Sequence, residues 1–303
     1  MNSSSLHRFG TVALAGLPNA GKSTLMNTMV GEKVAIVSSR PQTTRNRISG
    51  ILTSSHCQVV FLDTPGLNRA GGKMNELLNM TAREALYTSD AVVLVVDPLG
   101  FRKGKDQPGR ELSRIAGTLR NQPGVVLAVN KTDLVKDKKR LLPVMERLSN
   151  IFPDREIFPV SARTGQGCDD LLKRLVALLP EGEALYPEDQ ISTLPMRFMA
   201  AEILREKLFA LTRSEIPYGL AVEIESWQEE EGLISISALI YVLKASHKSI
   251  VIGKKGRMLR EAVQKTRLEL EEMTGKRVFL ETWVKVSPGW NENRNILSAL
   301  GLG

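Results

Sequence analysis

Residues 16–23 read GLPNAGKS and decide the fold of the first part of the chain. They match the pattern G-x-x-x-x-G-K-[ST], which joins a strand to a helix through a glycine-rich turn. A β-branched, apolar run precedes them at Thr11–Ala15, and a helical pattern follows at Ser23–Val30. In that context the backbone amides of the loop and the helix N-terminus form a cradle for phosphate oxygens. The stretch therefore predicts a P-loop nucleotide-binding domain.

Strand and helix patterns alternate from this loop to about residue 179. Several of the expected strands are almost continuously apolar, which is typical of a sheet covered on both faces. The expected strands after Thr11–Ala15 are Gln58–Leu62, Ala91–Val96, Val125–Val129 and Glu156–Val160, and the helices after the first are Lys73–Thr88, Gly109–Arg120, Lys139–Ile151 and Asp169–Leu179. This alternation predicts the α/β class, with a doubly wound, mostly parallel sheet.

The pattern changes after Pro180. Residues 181–195 carry prolines and acids without apolar periodicity, which predicts a linker. An amphipathic helix then follows at Phe198–Leu211, with alternating strand patterns and one more helix beyond it. These are the strands Leu220–Trp227, Leu233–Leu243 and Val278–Val286, with the turn Glu229–Gly232, and the helix Gly256–Met273. We therefore predict a nucleotide-binding domain at 8–180, a linker at 181–195 and a small α+β domain at 196–303.

The sequence D-T-P-G at Asp63–Gly66 directly follows the strand expected at Gln58–Leu62. A carboxylate at that strand end lies opposite the phosphate loop and can hold Mg²⁺ through water. The amide of Gly66 can approach a γ-phosphate. Together with Lys22 as the phosphate cation and Ser23 as a hydroxyl ligand, this motif predicts a magnesium-dependent nucleoside triphosphate site.

The sequence N-K-T-D at Asn130–Asp133 directly follows the strand expected at Val125–Val129. Asp133 can accept two hydrogen bonds from the guanine edge, and adenine lacks both donors, so an adenine nucleotide would leave the carboxylate unpaired. Lys131 can lie over the base, and the amide at Ser161–Ala162 can reach the guanine oxygen. The motif order predicts a guanine nucleotide.

These motifs resemble those of the TRAFAC-class GTPases, and the resemblance implies hydrolysis of GTP to GDP and phosphate. It also implies two switch segments, at Ser38–Arg47 and Gly66–Gly72. Thr44 would supply the second hydroxyl to Mg²⁺, and the adjacent Thr43 stays open as the alternative.

The position after D-T-P-G carries Leu67, where Ras-like enzymes have a glutamine that orients water. A leucine cannot hold water, so the attacking water must be positioned by another group. Similar GTPases with an apolar residue there often use K⁺ held partly by a P-loop asparagine, and Asn19 occupies that position. Activation by K⁺ is therefore a hypothesis, and slow intrinsic hydrolysis is expected.

The resemblance implies the following site. The nucleotide-contacting residues would be Gly16, Asn19, Ala20, Gly21, Lys22, Ser23, Thr24, Asp63, Gly66, Asn130, Lys131, Asp133, Ser161 and Ala162. The catalytic residues would be Asn19, Lys22, Thr44 and Gly66, and the magnesium ligands Ser23, Thr44 and Asp63. The implied cofactors are GTP or GDP and Mg²⁺, with K⁺ as the hypothesis above.

The second domain contains a G-x-x-G loop before its last helix. The loop can clamp a nucleic-acid backbone, because its glycines allow close approach and its lysines meet phosphates, as in KH domains. The predicted RNA-binding residues are Ile252, Gly253, Lys254, Lys255, Gly256 and Arg257. Residues 244–260 hold six Lys and Arg and no acid, although 181–303 as a whole holds 16 bases and 18 acids. A KH-like (type II) domain that binds RNA through this loop is therefore predicted.

The combination of one GTPase domain, an acidic linker and a KH-like domain resembles the Era-type GTPases. Further matches are RFMAAEILREK at 197–207 and LETWVKVSPGW at 280–290. The resemblance implies binding to 16S ribosomal RNA near its 3′ end, a role in 30S subunit assembly, a monomer, and peripheral association with the membrane. The alternatives are a GTPase of tRNA modification or of another ribosome-associated step, and a binding module with an inactive GTPase fold.

Composition sets the remaining limits. The net charge of +8 only weakly favours a polyanionic partner. Two cysteines exclude a disulfide framework, and no apolar run exceeds six residues, so we expect a cytoplasmic protein without a membrane span. Trp283 and Trp290 could stack on bases, but packing is the favoured interpretation for both.

Overall fold

A computed structural model of the chain describes residues 7–37, 44–66, 72–101, 107–120, 122, 124–212 and 216–302. The chain divides into two compact units. The first takes in the described residues of 1–35, 44–69 and 79–193, and the second those of 36–43, 70–78 and 194–303. Each unit has its own sheet and its own apolar core.

The sheet of the first unit has six strands in the order β2-β3-β1-β4-β5-β6. Only β2 runs antiparallel, against β3, and every other neighbouring pair is parallel. The strands are β1 (Arg8–Gly16), β2 (Ile48–Ser54), β3 (Cys57–Asp63), β4 (Ala91–Val96), β5 (Val125–Val129) and β6 (Ile157–Pro159). The predicted mostly parallel, doubly wound sheet is confirmed.

The helices along this part of the chain are α1 (Lys22–Val30), α2 (Lys73–Thr88), α3 (Gln107–Leu119), α4 (Leu141–Ile151) and α5 (Cys168–Leu178). Strands β3, β4 and β5 are buried along their whole length, as expected for continuous apolar runs. Strand β1 lies between β3 and β4, so the strand order reverses beside it. In open α/β sheets a ligand binds at the carboxyl ends of the strands at such a point.

The segment predicted as a linker is largely part of the first unit, which extends to Thr193. The amide of Gln58 in β3 donates to the carbonyl of Tyr186 at 2.8 Å. Further along, the backbone nitrogen of Ile51 in β2 donates to the carbonyl of Ile191 at 2.8 Å. Residues 185–193 therefore run beside the open edge of the sheet.

The second unit has a three-stranded sheet in the order β7-β8-β9, with β7–β8 antiparallel and β8–β9 parallel. Buried residues of the sheet and helices form its main core, among them Phe209, Ile240 and Leu270. The strands are β7 (Leu220–Glu230), β8 (Leu233–Val242) and β9 (Arg277–Val286), and the helices are α6 (Met196–Leu211), α7 (Ala245–Ile252), α8 (Arg257–Thr274) and α9 (Arg294–Ala299).

Three sequence interpretations need correction here. The acidic turn is shorter than predicted, because β7 continues through Glu230. Trp290 is fully buried, but half of Trp283 is exposed on β9, so packing does not account for Trp283. Strand β2 and helices α7 and α9 were not predicted, since none of these short segments has a long apolar period.

Candidate nucleotide site and nucleic-acid interface

The P-loop joins β1 to α1 and requires glycine at two positions. Gly16 and Gly21 have φ angles of +145° and +95°, in the left-handed region. A Cβ atom on Gly16 would lie 2.3 Å from the carbonyl oxygen of Val95, and one on Gly21 would lie 2.3 Å from Nδ2 of Asn130. Because these neighbours belong to the sheet and to the N-K-T-D motif, the two glycines let three strand ends converge on the loop.

Lys22 opens helix α1 and is buried, with its Nζ 3.4 Å from the carbonyl oxygens of both Gly16 and Leu17. Burial lowers the pKa of this ammonium group, and the carboxylate of Asp63 opposes that effect. A buried cation at the N-terminus of a helix, held beside the backbone carbonyls of the loop, fits a phosphate group as its partner. Gly21, the N-cap of α1, provides no side-chain cap, and the first turn carries no acidic residue.

Ser23, Thr44 and Asp63 form a cluster of oxygens at the end of β3. Asp63 Oδ2 accepts hydrogen bonds from Ser23 Oγ at 2.5 Å and from Thr44 Oγ1 at 3.0 Å, and the two hydroxyls lie 3.0 Å apart. Burial raises the pKa of the Asp63 carboxyl, while Lys22 and the two hydroxyls oppose that shift. The structure thus brings Thr44 into the predicted set, whereas Thr43 lies outside the described residues.

The oxygen atoms of this cluster are suitable ligands for Mg²⁺. Asp63 Oδ1 is buried and has no hydrogen-bond partner among the described residues. Within that part of the chain no group of three or more His, Cys, Asp and Glu side chains is arranged to hold a metal. One carboxylate with two hydroxyls suits Mg²⁺, which takes few protein ligands and completes its shell with water and nucleotide phosphates.

Gly66 lies against the P-loop. A Cβ atom there would lie 2.9 Å from the backbone nitrogen of Pro18. Thr64 holds the start of this loop, because its buried hydroxyl donates to the carbonyl of Leu14 at 2.9 Å. Residues 67–71 of the predicted second switch, including Leu67, lie outside the described residues, as do residues 38–43 of the predicted first switch.

Asn130 connects two loops of the predicted nucleotide site. Its Nδ2 donates to the carbonyl of Ala20 at 2.9 Å, and its Oδ1 accepts from the backbone nitrogen of Ala162 at 2.9 Å. Ser161 Oγ donates to Asp133 Oδ1 at 2.8 Å and so orients the carboxylate predicted to read guanine. The motif residues after β1, β5 and β6 therefore form one connected site.

Lys131 follows Asn130 in the left-handed region, with φ at +60°. Its Nζ donates to the carbonyl of Asn19 and to Asp97 Oδ2, both at 2.6 Å. Sequence reasoning missed Asp97, and it also missed Thr28, whose hydroxyl donates to the carbonyl of Ala162. The available signal for Asp97 was its position directly after a buried strand, which it shares with Asp63.

The G-x-x-G loop of the second unit connects α7 to α8 through left-handed residues. Gly253 has φ at +74°, and a Cβ there would lie 2.8 Å from Cβ of Met258. Lys255 adopts φ of +53°, and its carbonyl accepts a 2.6 Å hydrogen bond from Arg260. Exposed cations surround the loop, namely Lys244, Lys248, Lys254, Lys255, Arg257 and Arg260. Among the predicted RNA-binding residues, the three cations Lys254, Lys255 and Arg257 are exposed, whereas Ile252, at the end of α7, packs partly against the core of the second unit.

Comparison with known proteins gives two family matches. Residues 11–131 match a family described as 50S ribosome-binding GTPase, and residues 215–291 match the KH domain. In the described part of the chain no helix is both long and apolar enough to cross a bilayer.

Full-length relatives are also similar. GTPase Era of Nitratidesulfovibrio vulgaris (strain DP4) is 49% identical over 299 residues, covering 98% of this chain and 97% of that protein. A crystal structure of an Aquifex aeolicus Era variant bound to GDP·AlF4⁻ is 35% identical, with a TM-score of 0.89. A crystal structure of Era in complex with MgGDPNP and nucleotides 1506–1542 of 16S ribosomal RNA is also 35% identical, with a TM-score of 0.92. Both structures match over 98% of this chain and 99% of theirs.

Proposed function

From the premise that this chain belongs to the Era family of GTPases, we propose that it is a GTP-dependent switch that binds 16S ribosomal RNA near its 3′ end and acts in assembly of the 30S subunit. The observation that carries this proposal is the convergence of the P-loop, D-T-P-G, N-K-T-D and Ser161–Ala162 on one connected site. The basic G-x-x-G loop in the same chain supports the RNA part.

The P-loop residues bind and orient the triphosphate. The Lys22 ammonium, which lies beside the backbone carbonyls of Gly16 and Leu17, would face the β- and γ-phosphates, whose negative charge would complement its buried positive charge. The amide of Gly66 is placed beside the P-loop to meet the γ-phosphate. When bound with GTP, Mg²⁺ would neutralise charge on the phosphate oxygens, and Ser23, Thr44 and Asp63 would hold it.

The decisive test of the nucleotide site is Lys22→Ala in the full-length chain. We expect loss of GTP binding in equilibrium titration, because no other buried cation lies in the described part of the P-loop. Retained GTP turnover in that variant would overturn the assignment. Lys173→Ala, which changes an exposed lysine of α5, is the matched control and should bind GTP as the parent does.

Hydrolysis is proposed to depend on K⁺. The sequence has Leu67 after D-T-P-G, and an apolar side chain cannot orient water. Asn19 lies exposed on the P-loop, with φ at +63°. Turnover measured in KCl and in NaCl of the same ionic strength should be faster in KCl, and Asn19→Ala should remove most of the difference. Equal turnover of the parent protein in the two salts contradicts the hypothesis.

RNA binding is proposed to use residues 252–257. Changing Lys254 and Lys255 together to Glu places two acids on the loop, so affinity for a single-stranded fragment of the 16S 3′ end should fall while GTP hydrolysis stays unchanged. The control is Lys136→Glu with Lys139→Glu, the same charge change on exposed residues of the first unit. Unchanged RNA affinity in the loop variant would place the interface on another surface.

We further propose that the protein is a cytoplasmic monomer that engages the 30S subunit and associates peripherally with the membrane. Support comes from the RNA-binding fold and from the charge of residues 1–180, which hold 25 Lys and Arg against 15 Asp and Glu, a net of +10, whereas residues 181–303 have a net of −2. Cosedimentation with purified 30S subunits and flotation with anionic vesicles test the two associations separately. Salt-insensitive or absent binding in either assay contradicts that association.

A further inference from the structure

Asp97 lies directly after β4, and each of its two carboxylate oxygens has a partner. Its Oδ1 accepts a hydrogen bond from the backbone nitrogen of Leu99 at 2.9 Å, which caps the short turn Pro98–Gly100. Its Oδ2 lies 2.6 Å from the Nζ atom of Lys131. The first bond fixes the direction of the carboxylate, so the second oxygen is held toward the N-K-T-D motif.

Lys131 joins this carboxylate to the P-loop. Its Nζ also donates to the carbonyl of Asn19 at 2.6 Å. The side chains of Lys131 and Asp97 are both 27% exposed, so the pair is only partly screened by solvent. Among the residues that the structure describes, Asp97 is the only carboxylate that pairs with Lys131. One chain of contacts therefore links the loops after β1, β4 and β5.

We propose that Asp97 is a positioning residue for guanine nucleotide binding, which holds the Lys131 side chain over the face of the base and, through Lys131, holds the backbone of Asn19 in the P-loop. This inference rests on the proposed function, because it assumes that the site binds GTP and GDP. Asp97 itself needs no contact with the nucleotide. A lysine side chain has four rotatable carbon–carbon bonds, and the carboxylate selects the conformation in which Lys131 spans the site.

The affinities for GDP and IDP distinguish a positioning role of Asp97 from a general loss of structure. Lys131 meets the face of the base, whereas Asp133 reads its edge. The nucleotide IDP has the same purine face as GDP but lacks the 2-amino group that Asp133 would accept from. Loss of Asp97 should therefore weaken the binding of GDP and of IDP by the same factor, so the ratio of the two affinities should not change.

The test uses the full-length chain with Asp97→Asn. An asparagine oxygen can still cap Leu99, but the amide no longer offers Lys131 a negative charge. The matched control is Asp137→Asn, since Asp137 caps a similar short turn in the same unit by accepting from the nitrogen of Lys139. Lys131→Met and the double variant with Asp97→Asn complete a double-mutant cycle.

GDP and IDP dissociation constants, GDP dissociation rates and the thermal transition without nucleotide are measured for each protein. We expect Asp97→Asn to weaken both nucleotides about tenfold, with an unchanged transition, and Asp137→Asn to match the parent. In the Lys131→Met background Asp97→Asn should add less than about twofold.

A GDP affinity of Asp97→Asn within about twofold of the parent overturns the inference. So does full additivity with Lys131→Met, or a GDP-to-IDP ratio that changes more than about threefold, because Asp97 would then act by another route. A parent protein that fails to bind GDP would instead remove the proposed function itself, so the two failures are distinguishable.

Discussion

Gly66 and Pro18 approach so closely that a single methyl group between them would not fit: the missing Cβ of Gly66 would lie 2.9 Å from the Pro18 nitrogen. The D-T-P-G turn is therefore packed directly against the P-loop. The backbone of Gly66 can lie this close to the P-loop only because its residue has no side chain.

Gly66→Ala should accordingly separate binding from hydrolysis. We expect GTP turnover to fall at least about tenfold, since the turn must move away from the P-loop, while GDP, which has no γ-phosphate, binds nearly as before. Single-turnover hydrolysis and GDP titration measure the two effects. Gly117→Ala in α3 is the control, because a Cβ there meets open space. That change should leave turnover unaltered and stabilise the helix by about 0.5–1 kcal/mol.

Asp133→Asn should change which base is preferred. The carboxylate is oriented by Ser161 and would accept hydrogen bonds from the two guanine donors. An amide would accept from one of these positions and donate to the other. We expect GDP affinity to fall by roughly 100-fold or more and xanthosine diphosphate affinity to rise, since xanthine carries a carbonyl at that position. Competition titrations with both nucleotides measure the switch. Parallel weakening of both would mean that Asp133 supports the loop and does not read the base.

Gly253 and Gly256 should respond unequally to alanine. Both have φ at +74°, which costs a side chain about 1–2 kcal/mol, but only at Gly253 would the new Cβ collide, with Met258. We expect Gly253→Ala to lower both RNA affinity and the thermal midpoint more than Gly256→Ala does. All three tryptophans belong to residues 194–303, so their fluorescence reports unfolding of the second unit. Equal effects of the two changes would show that the Met258 contact is easily relieved.

Substitution of Trp290 should destabilise the second unit more than substitution of Trp283. Its side chain is fully buried, and its Nε1 donates to the carbonyl of Gly219 at 3.0 Å. Trp290→Phe should cost about 1–2 kcal/mol for the lost hydrogen bond, and Trp290→Ala about 3–5 kcal/mol. Trp283→Phe, at a half-exposed position, should change stability by less than about 0.5 kcal/mol. A larger cost at Trp283 than at Trp290 contradicts this ranking.

Much of the nucleotide site was predictable because its chemistry depends on short spacings. Lys22, Asp63 and Asn130 each stand at a fixed distance from a strand end, and a parallel sheet brings such ends to one edge. Strand β2 was not predictable in the same way. It is a short edge strand, and its pairing with β3 is a hairpin within the sheet that the strand–helix alternation does not signal.

The contacts that sequence reasoning missed are tertiary. Asp97 lies 34 residues from Lys131, and Thr28 lies 134 residues from Ala162. No local spacing encodes either pair. Trp283 illustrates the opposite error: an alternating strand pattern indicates two faces, but it does not say which face a neighbouring element covers.

The segment beside β2 has a consequence for the behaviour of the whole sheet. An edge strand normally presents free amides and carbonyls to any other extended chain, which is a common route to aggregation. Here the Ile51 amide already bonds Ile191, and the carbonyl of Ser49 accepts from the hydroxyl of Ser192. Proline and acidic residues precede these contacts along the same segment. Residues 185–193, which lead out of the first unit, therefore also hinder the pairing of β2 with a strand of another molecule.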